Sequence, residues 1–96
     1  MLDDQSEKYH IYKTALAKWG RQAQVNRFFE KSSKLTTVLA KSSRPKEQGT
    51  DKADIAEGIA EMEIMLELMI MLFDCKGSVG SHKREKLLRL RERIKN

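Results

Sequence analysis

The stretch that decides the fold runs from Asp51 to Cys75 and reads DKADIAEGIAEMEIMLELMIMLFDC. Apolar residues recur in it at helical intervals of three and four, at Ile55, Ile59, Met62, Leu66, Met69 and Phe73. A second set widens this stripe until the C-terminal half is apolar nearly all round: Ile64, Met65, Leu68, Met71 and Leu72. Because such a helix must be covered on more than one side, we expect it to be the centre of an all-α fold that assembles as a homodimer or a larger homo-oligomer.

Length and composition bound the class of protein. The chain has 96 residues, which suits a single domain spanning residues 1–96. The apolar run from Met62 to Phe73 contains two glutamates and is shorter than the about 20 apolar residues of a membrane span, so no membrane segment is expected. The single cysteine, Cys75, cannot form an internal disulfide, and the acidic N-terminus lacks the apolar run of a signal peptide. These features predict a cytoplasmic location.

Three further helices are expected around the central one. The first spans Ser6–Lys18, and Gly20 kinks or ends it. The second spans Arg21–Ser42, with a predicted buried stripe of Val25, Phe28, Phe29, Leu35, Val38 and Leu39. The last spans about His82–Lys95 and has a narrow apolar stripe among many basic residues. The domain is therefore expected to have an N-terminal helix (about 6–18), a core (about 19–75) and a basic C-terminal helix (about 82–95).

Two breaks separate these helices. Pro45 disfavours helical structure in the residue before it, so a loop is predicted there, and Thr50 or Asp51 can cap the third helix. The second break is a predicted turn at Gly77–Gly80, after which Ser81 can cap the last helix.

Charge alternates along the chain. Residues 21–46 carry a net charge of +6, residues 47–75 a net charge of −7, and residues 76–96 a net charge of +6. Two interpretations are open: oppositely charged helices pack together, or a basic segment faces an anionic ligand. The basic last helix could also contact a protein or the phosphates of a nucleic acid, although no recognition motif or stacking aromatic residue accompanies it.

Three segments, taken in order and spacing, resemble the MazG-like branch of the all-α nucleoside triphosphate pyrophosphohydrolases. They are Trp19-Gly20 followed by Gln22-Ala23-Gln24, the run Ile59–Leu66, and the closing segment Lys86–Arg93. The resemblance covers about Thr14 to Lys95 and implies an oligomeric four-helix core. It also implies a site in which a Glu-Glu-x-x-Glu helix and a Glu-x-x-Asp helix hold Mg²⁺, which helps a water molecule to attack between the α- and β-phosphates.

The chain departs from that family at its metal ligands. Glu30 matches the first glutamate of Glu-Glu-x-x-Glu, but Lys31 and Lys34 stand at the second and third. In the other motif Gly58 stands at the glutamate and Glu61 at the aspartate. Because ammonium groups repel a divalent cation, we expect no metal, no cofactor and no catalytic residue in this site.

Two interpretations of the lysines are open. Either Lys31 or Lys34 forms an ion pair with Glu61 and replaces the metal as the link between the helices, or the lysines contact phosphate oxygens directly. In the second case the predicted ligand-binding residues are Lys31, Lys34, Glu61, Ser33, Thr37 and Trp19. Trp19 either stacks on a base or, the favoured interpretation, anchors the first helix against the core.

The predicted function is therefore that of a catalytically degenerate MazG-like protein that binds a nucleotide, a nucleotide-derived signal or another phosphate-bearing small molecule without hydrolysing it. The frequent phage setting of the family suggests sequestration of this ligand in a host cytoplasm. One alternative is an active Mg²⁺-dependent pyrophosphohydrolase with relocated ligands at Glu30, Glu57 and Glu61. Another is a non-enzymatic interaction protein that uses its basic C-terminal helix to bind a protein or a nucleic acid.

Overall fold

The computed structural model describes residues 5–43 and 52–95, which form four α-helices and no strand. The helices are α1 (Gln5–Trp19), α2 (Arg21–Ser42), α3 (Lys52–Phe73) and α4 (Lys76–Lys95). The predicted all-α class is confirmed. The predicted break at Pro45 and the predicted caps Thr50 and Asp51 lie outside the described residues. Within the described ranges, no helix combines the length and the hydropathy needed to cross a membrane.

Gly20 ends α1 and starts α2. Its φ of 87° lies in the left-handed region, which glycine adopts without strain. The Gly20 amide donates to the Leu16 carbonyl at 2.8 Å, while the Gln24 amide donates to the Gly20 carbonyl at 3.3 Å. The chain therefore turns sharply at this residue, as the sequence predicts.

The central unit is an antiparallel pair formed by α2 and α3. The start of α2 meets the end of α3, where the Arg21 guanidinium lies 4.7 Å from the centre of the Phe73 ring. Further along the pair, Gly58 is buried, and a Cβ atom built on it would lie 2.9 Å from Leu35 Cδ1. The missing side chain at Gly58 therefore lets the two helices approach closely.

The core is small and involves one side of α3. Its buried side chains are Tyr12, Leu68 and Leu72, and the partly buried residues packed on them are Leu16, Val25, Met69 and Met71. Glu67 links α1 to this side of α3, because it accepts hydrogen bonds from Lys8 at 2.8 Å and from the Tyr12 hydroxyl at 3.2 Å. Burial, and then the charge of Glu67, raise the pKa of Tyr12 to about 12.

The predicted apolar stripe of α3 is covered only in part: Ile55, Met62 and Met69 are partly buried, and Met69 packs on the core. Ile59, Leu66 and Phe73 are 45%, 50% and 52% exposed, whereas α1 and α2 cover the neighbouring side, which carries Gly58, Met65, Leu68 and Leu72. We call the more exposed side the outer α3 face, and it consists of Ile59, Glu63, Leu66, Ile70 and Phe73, of which Ile70 is partly buried. Both sides have the helical period, so the spacing alone cannot tell which one the neighbours cover.

The predicted stripe of α2 also needs correction. Phe29 and Leu39 are exposed, and the buried residue of this helix is polar Gln24. The four other predicted members are partly buried: Val25, Phe28, Leu35 and Val38.

The last helix starts earlier than predicted. Residues 77–80 are helical rather than a turn, and Ser81 lies inside α4 rather than at its cap. The turn is formed instead at Asp74, whose φ is 50°; aspartate tolerates this left-handed conformation better than most residues do. The Val79 amide then donates to the Cys75 carbonyl at 2.9 Å, which sets the first turn of α4.

The molecule is open. None of the residues of α4 is buried, and residues 80–95 are all exposed. The Cα radius of gyration is 16.5 Å, whereas a compact chain of this length would have a value of about 12.5 Å.

Candidate functional site

The candidate site lies along two helix flanks that face each other across the α2–α3 pair. On α2, residues Ala23, Arg27, Glu30 and Lys34 follow the spacing of four, three and four that aligns side chains on one flank. On α3, residues Glu57, Glu61, Ile64 and Leu68 follow the same spacing. Since the helices are antiparallel, Lys34 meets the glutamates, and Arg27 lies towards the apolar pair.

Ion pairs close one end of this site. Lys31 pairs with Glu61, and both side chains are about three-quarters covered by their surroundings. Lys34 lies 3.4 Å from Glu57 and 3.6 Å from Glu61, with about half of its side chain exposed. The predicted ion pair between the lysines and Glu61 is confirmed, and it links α2 to α3 at the position where the resemblance implies a metal.

The cluster is held in its charged form. The hydrogen bond from Lys31, followed by the charges of Lys31 and Lys34, lowers the pKa of Glu61 despite partial desolvation. The charge of Glu61, followed by the hydrogen bond and charge of Glu57, raises the pKa of Lys34. At neutral pH this end of the site therefore contains two cations and two anions.

One acceptor in the cluster is not used. The buried Glu61 Oε1 has no hydrogen-bond partner within the described part of the chain, since the Lys34 ammonium is 3.6 Å away. A buried carboxylate oxygen without a donor is costly, so this atom can accept a donor from a bound molecule.

A cavity of about 500 Å³ adjoins the cluster between α1, α2 and α3. Its walls include the apolar residues Ile11, Ala15, Ile64, Met65 and Leu68 and, among others, Tyr12, Trp19, Gln24, Arg27 and Glu30. Gln24 is only 3% exposed, and its side chain lines this cavity. A side-chain amide at a cavity wall offers a donor and an acceptor to a polar ligand atom.

Trp19 stands at the rim of this cavity. Its side chain is 60% exposed, with the Lys18 ammonium 5.2 Å from the ring centre. The favoured interpretation of Trp19 as an anchor against the core is therefore wrong. Its exposed ring remains available for stacking.

Two predicted site residues are elsewhere on α2. Ser33 follows Lys31 by two positions, which turns it roughly 200° around the helix and away from α3. Thr37 is exposed, and its hydroxyl donates to the Ser33 carbonyl at 3.0 Å. The structure therefore brings Lys31, Lys34 and Glu61 together but does not place Ser33 beside Lys31.

The fallback metal ligands are not assembled. Among the described residues, no group of three or more histidine, cysteine, aspartate or glutamate residues is placed to hold a metal ion. Glu30 lines the cavity, while Glu57 and Glu61 contact Lys34. Gly58, at the position where the resemblance implies a ligand, packs against Leu35 instead.

Two residues of the site were missed by reasoning from the sequence. Gln24 and Arg27 were not among the predicted ligand-binding residues, although both line the cavity. The available signal was their spacing from the lysines, since Gln24 lies seven positions before Lys31 and Arg27 seven before Lys34.

Comparisons of the chain with protein-family models, with curated proteins and with solved structures found no match. Membership of the MazG-like family therefore stays a prediction.

Proposed function

We propose that this chain is a MazG-like protein that binds a nucleotide, or a related phosphate-bearing small molecule, without hydrolysing it. The observation that carries the proposal is the cavity lined by the buried Gln24 side chain, which adjoins a flank bearing Arg27 and Lys34. The cavity can receive a planar ring, and the two basic residues can receive its phosphates.

The lining of the cavity suits a nucleobase. Its walls are mainly apolar, and a single buried amide offers both a donor and an acceptor. A base edge presents donors and acceptors of the same kind, and its faces can lie against the apolar walls. Trp19 at the rim adds an aromatic surface on which a base can stack.

The α2 flank beside the cavity suits phosphate. Arg27 and Lys34 are separated by seven residues, which corresponds to about 10.5 Å along the helix axis. This span is on the scale of a polyphosphate chain. Lys34 is half-exposed and its two contacts with glutamate are long, so its ammonium can turn towards a phosphate oxygen with little rearrangement.

The same residues oppose hydrolysis. Metal-dependent attack on a phosphate requires carboxylates that hold the cation and a water molecule that the cation activates. Here Glu61 is engaged by two ammonium groups, and Gly58 offers no side chain. A bound nucleotide would therefore be retained intact, which fits the expected role in sequestration.

The proposal includes a homodimer or larger assembly. The exposed apolar residues on α3 and α4 are more than a small isolated domain needs to leave in water, because contiguous apolar surface favours association.

Calorimetric titration of the full chain with nucleoside mono-, di- and triphosphates in EDTA tests the proposal. At least one of them should bind, and neutralising both Arg27→Gln and Lys34→Gln should weaken its affinity by about tenfold or more, the effect of 1.4 kcal/mol. Lys31 is left unchanged, because it holds the helix pair together. A matched variant with Lys13→Gln and Lys41→Gln removes the same charge outside the cavity and should bind as the wild type does. If none of the nucleotides binds, or if the two double variants lose the same affinity, the proposal is refuted.

A further inference from the structure

The outer α3 face is a largely exposed apolar surface with one acidic residue. Ile59, Leu66, Ile70 and Phe73 recur along it, and Glu63 lies in its middle. At its C-terminal end it forms one wall of a groove of about 480 Å³, which reaches Val79 and Lys83 at the start of α4. Within the described residues, Ile59 and Leu66 are about half exposed.

The C-terminal half of α4 has the complementary character. Leu87, Leu90 and Ile94 form a stripe with heptad spacing and are between 45% and 76% exposed. The positions beside this stripe are basic: Arg84, Lys86, Arg91 and Arg93. The stripe is thus an apolar ridge with positive borders.

The two surfaces match in charge and length. The outer α3 face carries Glu63 in its middle and Glu67 beside it, whereas four basic residues border the α4 stripe. At a rise of 1.5 Å per residue, α3 is about 33 Å long and α4 about 30 Å long. Apolar stripes that meet between an acidic and a basic surface favour helix pairing.

The start of α4 reaches the outer face of its own α3 at Val79 and Lys83, but the apolar stripe further along α4 does not cover it. The turn at Asp74 directs α4 away, so that its residues 80–95 are exposed. A second copy has no such constraint. We propose that α4 of one copy docks on the outer α3 face of another, and that the exchange is reciprocal, so that a homodimer carries two identical contacts.

Self-pairing of α4 is the main competing arrangement. It would place basic borders against basic borders in either helix direction, and like charges at these positions disfavour pairing. The outer α3 face carries Glu63 and no basic residue, and it avoids this repulsion. The inference rests on the assembly proposed above, and it specifies which surfaces form it.

Sedimentation velocity and equilibrium on the full chain test the pairing. The wild type should dimerise, and both Leu66→Lys and Leu90→Asp should raise the dimer dissociation constant by about tenfold or more. Leu88→Asp is the matched control, because Leu88 is equally exposed on α4 but lies outside the stripe. It should change the dissociation constant less than about twofold. Circular dichroism would confirm that each variant keeps its helices.

Mixing the two disruptive variants gives the sharpest result. A mixed dimer regains one wild-type contact, from the intact α4 of one chain and the intact α3 of the other, so the mixture should dimerise more strongly than either variant alone. Loss of dimer with Leu90→Asp but not with Leu66→Lys would refute the pairing while leaving the assembly. A monomeric wild type would refute both. Nucleotide titration of the same samples tests the ligand proposal independently.

Discussion

At the scale of single residues, the centre of the account is the Lys31–Glu61 ion pair, which stands where the resemblance implies a metal. This pair could be predicted from the sequence. Lysines stand where the resemblance implies acids, and Glu61 is the remaining acid on the facing helix with which they can pair. The role of Gln24 could not be predicted in the same way, since a glutamine is usually exposed and its burial depends on how three helices meet. Helical geometry alone excludes Ser33 from the site beside Lys31, because residues two apart in a helix do not face the same way.

Glu61 gives a pH-dependent contribution to stability. Its pKa is lower in the folded protein, so its contribution is present above the unfolded value of about 4.3 and is lost as the pH falls through the folded value. Denaturant unfolding from pH 7 to pH 2 should therefore show a shallower acid loss for Glu61→Gln than for the wild type. In a Lys31→Met background this difference should shrink, because the main cause of the shift is removed. An unchanged difference would contradict the assigned cause.

Gly58 is expected to be intolerant of branched side chains. A valine there would press on Leu35, whose Cβ and Cα lie 3.7 Å and 3.8 Å from the Cβ position. The free energy of unfolding should fall by about 1–3 kcal/mol. Gly58→Ala should be nearly neutral, because the about 1 kcal/mol gained in helix propensity offsets a shift of the flexible Leu35 tip. Chemical denaturation of both variants measures this, and equal losses would show that space at Gly58 is not the cause.

At the scale of helices, the sequence predicts the existence of all four and the bounds of α2, while two features depend on tertiary contacts. The covered side of α3 is chosen by Tyr12 and the residues of α2, and the apolar spacing is similar on both sides. The start of α4 differs from the prediction. Its two glycines suggest a turn, whereas the turn lies earlier, at Asp74. Glycine lowers helix propensity but does not forbid a helix.

The attachment of α1 depends on Glu67. Glu67→Ala removes the acceptor for both Lys8 and Tyr12, so α1 should lose hydrogen-exchange protection while the α2–α3 pair keeps most of its own. The loss in stability should be about 1 kcal/mol, since the carboxylate is partly exposed. Glu67→Gln keeps an acceptor for the Tyr12 hydroxyl and should give an intermediate loss. An equal loss of hydrogen-exchange protection in all four helices would show that α1 does not open separately.

At the scale of the whole molecule, the small core and the open shape indicate that the fold needs stabilisation from a bound ligand or a second copy. Four hydrophobic side chains are buried in the described part of the chain: Tyr12, Met65, Leu68 and Leu72. A domain with so small a core is marginally stable alone. A ligand in the cavity and a second copy on the outer α3 face would each stabilise the folded state by binding to it.

The dependence of nucleotide binding on Mg²⁺ tests the central claim most directly. Affinity for the best-bound triphosphate, measured by calorimetry in EDTA and then in excess Mg²⁺, should be no weaker in EDTA, with no pyrophosphate released in either buffer. The reason is that the lysines supply the positive charge that the metal would bring. Binding that requires Mg²⁺, together with pyrophosphate release that disappears in Glu61→Ala, would contradict the account.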